Sequence, residues 1–238
     1  MRIQYFSDLH LEFLKTTISF KSVAPILVLA GDIGYPHENS YKNFIKSVSE
    51  QFEKVFLIAG NHEYYRNLQT IEETNKKIHD LITSSKLSNV TFLNNSFEDY
   101  AGYRFVGSTL WTEISNLNYL SNDFNEIVGM SVEKYNQLHH QSRQFLSEII
   151  HTDKKIIVIS HHVPSHILTH PDYVKFEKYK QCFSSNSDDL IKENIVCWFY
   201  GHTHKPMSTK LNGVQMCCNP IGYPDENKKI DFEKIIEI

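Results

Sequence analysis

Short apolar runs recur along the chain, and each stops at a small residue followed by a polar one. Residues 3–6 (IQYF) lead into Ser7-Asp8, 26–30 (ILVLA) into Gly31-Asp32, and 55–59 (VFLIA) into Gly60-Asn61. Residues 156–159 (IIVI) lead into Ser160-His161, and 196–200 (VCWFY) into Gly201-His202. Runs of this length, rich in β-branched and aromatic residues, predict strands buried on both faces of a covered sheet. Between them the period changes. Leu68, Ile71, Ile78, Leu81 and Ile82 recur at helical spacing and predict a helix over 68–84. Helices are also predicted over 39–53 and 131–151, with a further one near 186–194 in an otherwise irregular stretch, 161–194.

From 90 to 111 the texture turns to short strands, with turns at Asn94-Asn95 and Gly102. Strands near 206–211 and 214–218 flank Asn212-Gly213, a strong hairpin signal, and a last strand fits 230–236. β pairs placed between βα units predict two packed mixed sheets with helices outside, a four-layer α/β-β/α sandwich. No repeat, low-complexity tract or linker interrupts residues 1–238, so one domain is expected.

Composition adds exclusions. Hydrophobic residues make up 41% and charged residues 22%, ordinary values for a globular chain. A net charge of −4 supplies no bulk positive field for a nucleic-acid backbone, so nucleic acid is a disfavoured partner. The apolar runs are far shorter than the roughly 20 residues of a membrane span. The start, MRIQYFSDLHLEF, lacks the unbroken apolar core of a secretory signal, and a cytoplasmic location is expected. Cys182, Cys197, Cys217 and Cys218 form no disulfide framework; Cys197 reads as a small buried hydrophobe, and Cys217-Cys218 as part of a packed strand.

The residues at the strand ends carry the chemistry. Asp8 and His10, like His202 and His204, stand at i and i+2, so extended backbone puts each pair on one face. Side chains delivered from the carboxyl ends of neighbouring strands converge on one site. Asp8, His10, Asp32, Asn61, His161, His202 and His204 make seven candidate ligands of carboxylate, amide and imidazole type. That set suits borderline or hard divalent ions. Seven exceed one tetrahedral site and fit two adjacent ions if one carboxylate bridges. His161 is preferred to His162, whose side chain extended backbone turns to the opposite face. His139 and His140 fall mid-helix and read as surface residues. His166 and His170 read as loop histidines, and Arg66 and Lys205 as solvated cations as readily as phosphate contacts.

The series Asp8-Leu9-His10, Gly31-Asp32, Gly60-Asn61-His62-Glu63, Ser160-His161-His162 and Gly201-His202-Thr203-His204 resembles the calcineurin-like metallophosphoesterase superfamily in order and spacing across residues 1–206. Phe105–Trp111 and Asn219–Pro224 are similar to stretches in its small bacterial-type members. The resemblance implies that Asp8, His10 and His204 hold a first metal, Asn61, His161 and His202 a second, and that Asp32 bridges them. It implies that His62 acts as general acid or hydrogen-bond donor to the phosphoryl or leaving-group oxygen. Two divalent ions (Mn²⁺ foremost in vitro, with Fe, Zn²⁺ or Ni²⁺ as alternatives) would then activate a water for attack on a phosphodiester or phosphomonoester. A small or nucleotide-like phosphate ester is the expected substrate.

One departure stands out. The serine/threonine protein phosphatase branch carries an acidic residue and an arginine at the positions of Tyr35 and Pro36, so that branch is disfavoured. His62 must then find another partner to fix its tautomer. The alternatives are a nuclease, which the acidic balance weakens, and a non-catalytic interaction scaffold. Drift to a scaffold should erase ligands, yet all seven and His62 are present. Glu63 either orients His62 or ties down its own loop.

Overall fold

Alternation within single strands builds three apolar cores. In β7 (Ile156–Ser160), Ile157 and Ile159 point to one side and Ile156 and Val158 to the other; in β8 (Ile195–Phe199), Cys197 and Phe199 oppose Trp198. All of these residues are buried. Both faces are therefore covered, as their unbroken apolar character requires. A computed structural model describes residues 1–14, 18–66, 68–115, 121–170, 180–227 and 230–238.

The strands form two mixed sheets. The first runs β11-β1-β2-β3-β4, with β1 (Arg2–Phe6), β2 (Ile26–Ala30), β3 (Lys54–Ile58) and β4 (Val90–Phe92) parallel and β11 (Ile235–Glu237) antiparallel at its edge. The second runs β5-β6-β7-β8-β10-β9. Its centre, β6 (Tyr103–Ser108), β7, β8 and β10 (Val214–Cys218), is parallel, and the hairpin partners β5 (Ser96–Tyr100) and β9 (Met207–Leu211) form antiparallel edges.

Between the sheets lie Ile3, Tyr5, Val28, Phe56, Ile58, Phe105, Ile157 and Phe199 among others. Phe56 of the first sheet stacks on Phe105 of the second at a centroid distance of 4.0 Å. On the outer face of the first sheet, α1 (Asn39–Gln51) packs Tyr41, Phe44, Ile45 and Val48, and α2 (Ile71–Ser84) packs Ile71 and Ile78. On the outer face of the second, Leu146 of the long helix α3 (Val132–Ile149) joins Val106, Val158 and Trp198. Helix, sheet, sheet and helix are the four layers that the apolar pattern predicts. Among the described residues no helix is long and apolar enough to cross a membrane.

Several local expectations are corrected. Helix α2 begins at Ile71 because Thr70 and Glu73 close a capping box, side chain to backbone in both directions. Leu68 lies outside the helix and is 97% exposed, so its apolar character extends the periodicity without packing. Of the helix expected near 186–194, only a 3-10 turn at Asp188–Leu190 forms. The last strand is confined to Ile235–Glu237. The β-rich stretch divides: β4 completes the first sheet, and the Asn94-Asn95 turn starts the second with β5. His139 is buried, with Nδ1 against the Trp111 carbonyl, whereas His140 is exposed.

Candidate metal centre

Each strand end turns sharply where its chemistry begins. Asp8, His10, Asp32, His202 and His204 have φ of 53°, 49°, 54°, 65° and 49°. A left-handed backbone is uncommon for a side chain of any size and costs on the order of 1–3 kcal/mol per residue. The turns are pinned by the neighbouring strand's backbone, with Asp8 N–H on the Gly31 carbonyl and His10 N–H on the Asp32 carbonyl, both at 3.0 Å. Packing at the turns leaves no room for side chains at two glycines. A Cβ on Gly31 would lie 2.6 Å from His161 Nδ1, and one on Gly60 would lie 2.2 Å from Asp32 Oδ1.

The seven predicted residues meet in the gap above the two sheets. Asp8, His10 and His204 form one group whose ligand atoms lie within 4.8 Å of one another; His10, Asp32 and His62 form a second, and Asp32, His161 and His202 a third. His10 Nε2 faces His204 Nε2 at 3.0 Å, and His161 Nε2 faces His202 Nδ1 at 3.2 Å. Asp32 is common to two of these groups: its Oδ2 is 3.2 Å from His161 Nε2 and 3.9 Å from His10 Nε2. Asn61 Oδ1 lies 3.1 Å from His161 Nε2.

The outer nitrogen of every imidazole is occupied. His10 Nδ1 meets Glu12 Oε1 at 3.1 Å, His204 Nδ1 meets Glu226 Oε2 at 2.7 Å, His161 Nδ1 meets the Ala30 carbonyl at 2.9 Å, and His202 Nε2 meets the Cys182 carbonyl at 3.0 Å. With acceptors holding one ring N–H, the other nitrogen presents a lone pair to the centre, as in metal-ligating histidines. The Asn61 amide is fixed in the same way. Its Nδ2 donates to Asp123 Oδ1 at 2.9 Å and to Tyr65 Oη at 3.0 Å, which turns Oδ1 inward. Donor atoms buried this close need shared protons or a cation between them, and a divalent ion would satisfy them together. The donor set therefore fits the metals that it predicts.

Charge within the centre is strongly redistributed. Burial pushes the Asp8 carboxyl up, but the hydrogen bond and charge of His204, and then His161, bring it down to about 2. Burial lowers His161 and His204, while Asp32 raises the first to about 9, and Asp8 with Glu226 raises the second to about 10. Burial and His161 push His202 down to about 4.

His62 occupies the edge of the centre. Its backbone N–H donates to Asp32 Oδ1 at 2.8 Å, and its Nδ1 meets Glu12 Oε1 at 3.0 Å, the same oxygen that holds His10. Glu12 is thus the orienting carboxylate that Tyr35 could not supply. Glu63 accepts from the backbone N–H groups of Asp32, Ile33 and Gly60 at 3.0, 2.7 and 2.7 Å, so it ties down the loops. His162 is buried behind the ligands, its ring 4.3 Å from that of His202. His166 Nδ1 is engaged by Ser184 Oγ at 2.7 Å. Arg66 is largely exposed, 3.8 Å from Glu126.

No pattern in the sequence assigns a role to Glu12 or Glu226; Asn122-Asp123 reads only as a loop of the kind related enzymes place near the metals, and Tyr223 only as part of the Asn219–Pro224 stretch of the resemblance. Glu12 stands two residues beyond His10, an acid close to the place where a carboxylate was needed.

A family model described as calcineurin-like phosphoesterase matches residues 1–206. An uncharacterized protein of Acanthamoeba polyphaga mimivirus is 26% identical over an alignment 275 residues long, gaps included, covering 100% of this chain and 97% of its own. The fold is similar to that of the phosphopantetheinyl hydrolase of Mycobacterium tuberculosis, with a TM-score of 0.68 at 20% identity, covering 93% of this chain and 89% of that one.

Proposed function

The chain belongs to the calcineurin-like phosphoesterase family, and from that premise we propose that it hydrolyses phosphate esters at a dinuclear metal centre. One observation carries the reading: Asp32 belongs to two overlapping groups of potential ligands, with His10 and His62 on one side and His161 and His202 on the other. Asp8, His10 and His204 would hold the first ion and Asn61, His161 and His202 the second, with Asp32 placed to serve both. When bound, the two ions supply an activated water and neutralise charge on the phosphoryl oxygens.

The chain's own residues do the rest. Glu12 accepts from His62 Nδ1 and so aims Nε2 outward, where it can protonate a leaving-group oxygen; such a positioned acid typically contributes about 10²–10⁴-fold. Asp123 and Tyr65 keep the Asn61 amide from turning, and Glu226 keeps His204 in its tautomer. The substrate class is a small or nucleotide-like mono- or diester.

Protein supplied with Mn²⁺ is expected to hydrolyse bis-p-nitrophenyl phosphate or p-nitrophenyl phosphate, and Asp32→Ala and His161→Ala are expected to abolish turnover. Failure of Mn²⁺, Fe²⁺, Zn²⁺ and Ni²⁺ alike to give turnover of any ester, together with tight capture of a partner protein, would instead identify a scaffold. Metal analysis of protein purified without added metal identifies the resident ion.

A further inference from the structure

Tyr223, in the loop after β10, stands at the boundary between the buried histidines and solvent, 41% exposed. Its ring packs on those of His10 and His204 at centroid distances of 4.5 and 4.6 Å. Its hydroxyl lies 3.2 Å from His62 Nε2. Phe13, 39% exposed, packs edge-on against it at 5.4 Å, so the two rings form an aromatic wall beside His10 and His62. Because Glu12 occupies Nδ1, Nε2 is the nitrogen His62 has left for chemistry, and Tyr223 is what it meets. A group that approaches His62 Nε2 closely enough to take its proton therefore comes within reach of the Tyr223 hydroxyl.

Resting on the phosphoesterase reading, the geometry points to Tyr223 as a second catalytic residue, a hydrogen-bond donor to the leaving-group oxygen. In the step, a water oxygen bonds to phosphorus as the ester P–O bond breaks. The departing oxygen keeps the electron pair and takes a proton from His62 Nε2. Tyr223 donates a hydrogen bond to that oxygen without losing its own proton. The products are the alcohol and a phosphate with one ester fewer, and the proton released by the attacking water restores His62. A fixed donor aimed at developing charge matters most where that charge is largest, on a poor leaving group.

Tyr223→Phe keeps the ring against His10 and His204 and removes only the hydroxyl. With Mn²⁺-loaded protein, kcat for phenyl phosphate is expected to fall roughly 10²-fold. For p-nitrophenyl phosphate, whose leaving group needs little help, the loss is expected to be about a tenth of that. Bound metal and the thermal midpoint are expected to stay unchanged. Equal losses on both esters, the result of a merely structural role, overturn this inference and leave the phosphoesterase reading in place. Absence of turnover by the unmodified protein overturns both.

Discussion

At the scale of the residue, the centre is a set of proton contacts that a metal must displace. His161 and His204, raised to about 9 and about 10 by their carboxylate neighbours, are protonated at neutral pH without metal. Ligating nitrogens must be free of protons, so metal uptake at pH 7 is expected to release about two protons. Titration calorimetry in buffers of different ionisation enthalpy reads this directly; a heat independent of buffer would refute it. The Asp8–His204 contact supports the metal-free fold above the ordinary 3.8 of Asp8 and below the ordinary 6.5 of His204. Its contribution is lost as pH falls toward 2 or rises toward 10. Asp123→Ala frees the Asn61 amide to turn and is expected to weaken metal affinity about 10–100-fold, measured by competition with a chelating dye. The convergence of the seven candidate residues was legible because each follows a strand by one to a few residues. Glu226 was not, since nothing local marks a loop residue that tertiary contact brings to a site; Asp123 and Tyr223 lay in stretches the sequence singled out, with no pattern that gives either a role.

At the scale of the element, period decided what could be read. The strands β2 and β10 match their apolar runs residue for residue, and the Asn212-Gly213 hairpin forms at left-handed φ of 50° and 84°. Leu68 misled because an apolar residue in phase with a helix need not be in it; Thr70 with Glu73 was the better signal. His139 misled in the opposite sense. It shares the buried stripe of α3 with Tyr135, Ser142 and Leu146, a spacing that counted against a surface position. The Phe56–Phe105 stack ties the sheets together, so Phe56→Ala is expected to destabilise the protein by about 3–5 kcal/mol in denaturant unfolding. A loss below about 1 kcal/mol would mean that the sheets close over the gap.

At the scale of the whole molecule, the two sheets meet in one site. The first contributes Asp8, His10, Asp32, Asn61 and His62, the second His161, His202 and His204. Ions held there would cross-link the layers opposite the apolar gap. With free Mn²⁺ about a hundredfold above its dissociation constant, stabilisation should reach about 2.7 kcal/mol. For a chain of this size that raises the thermal midpoint by roughly 5–10 °C, reversed by chelator; an unmoved midpoint would argue against binding in this gap. The left-handed turns at five of the seven candidate ligands have an evolutionary corollary. Glycine accepts that backbone freely, so a library screened for heat resistance without metal should drift toward glycine at these positions and lose the site. Screened with metal present, the same library should keep them. Retention of the ligands thus becomes a record of the ionic conditions under which a lineage was selected.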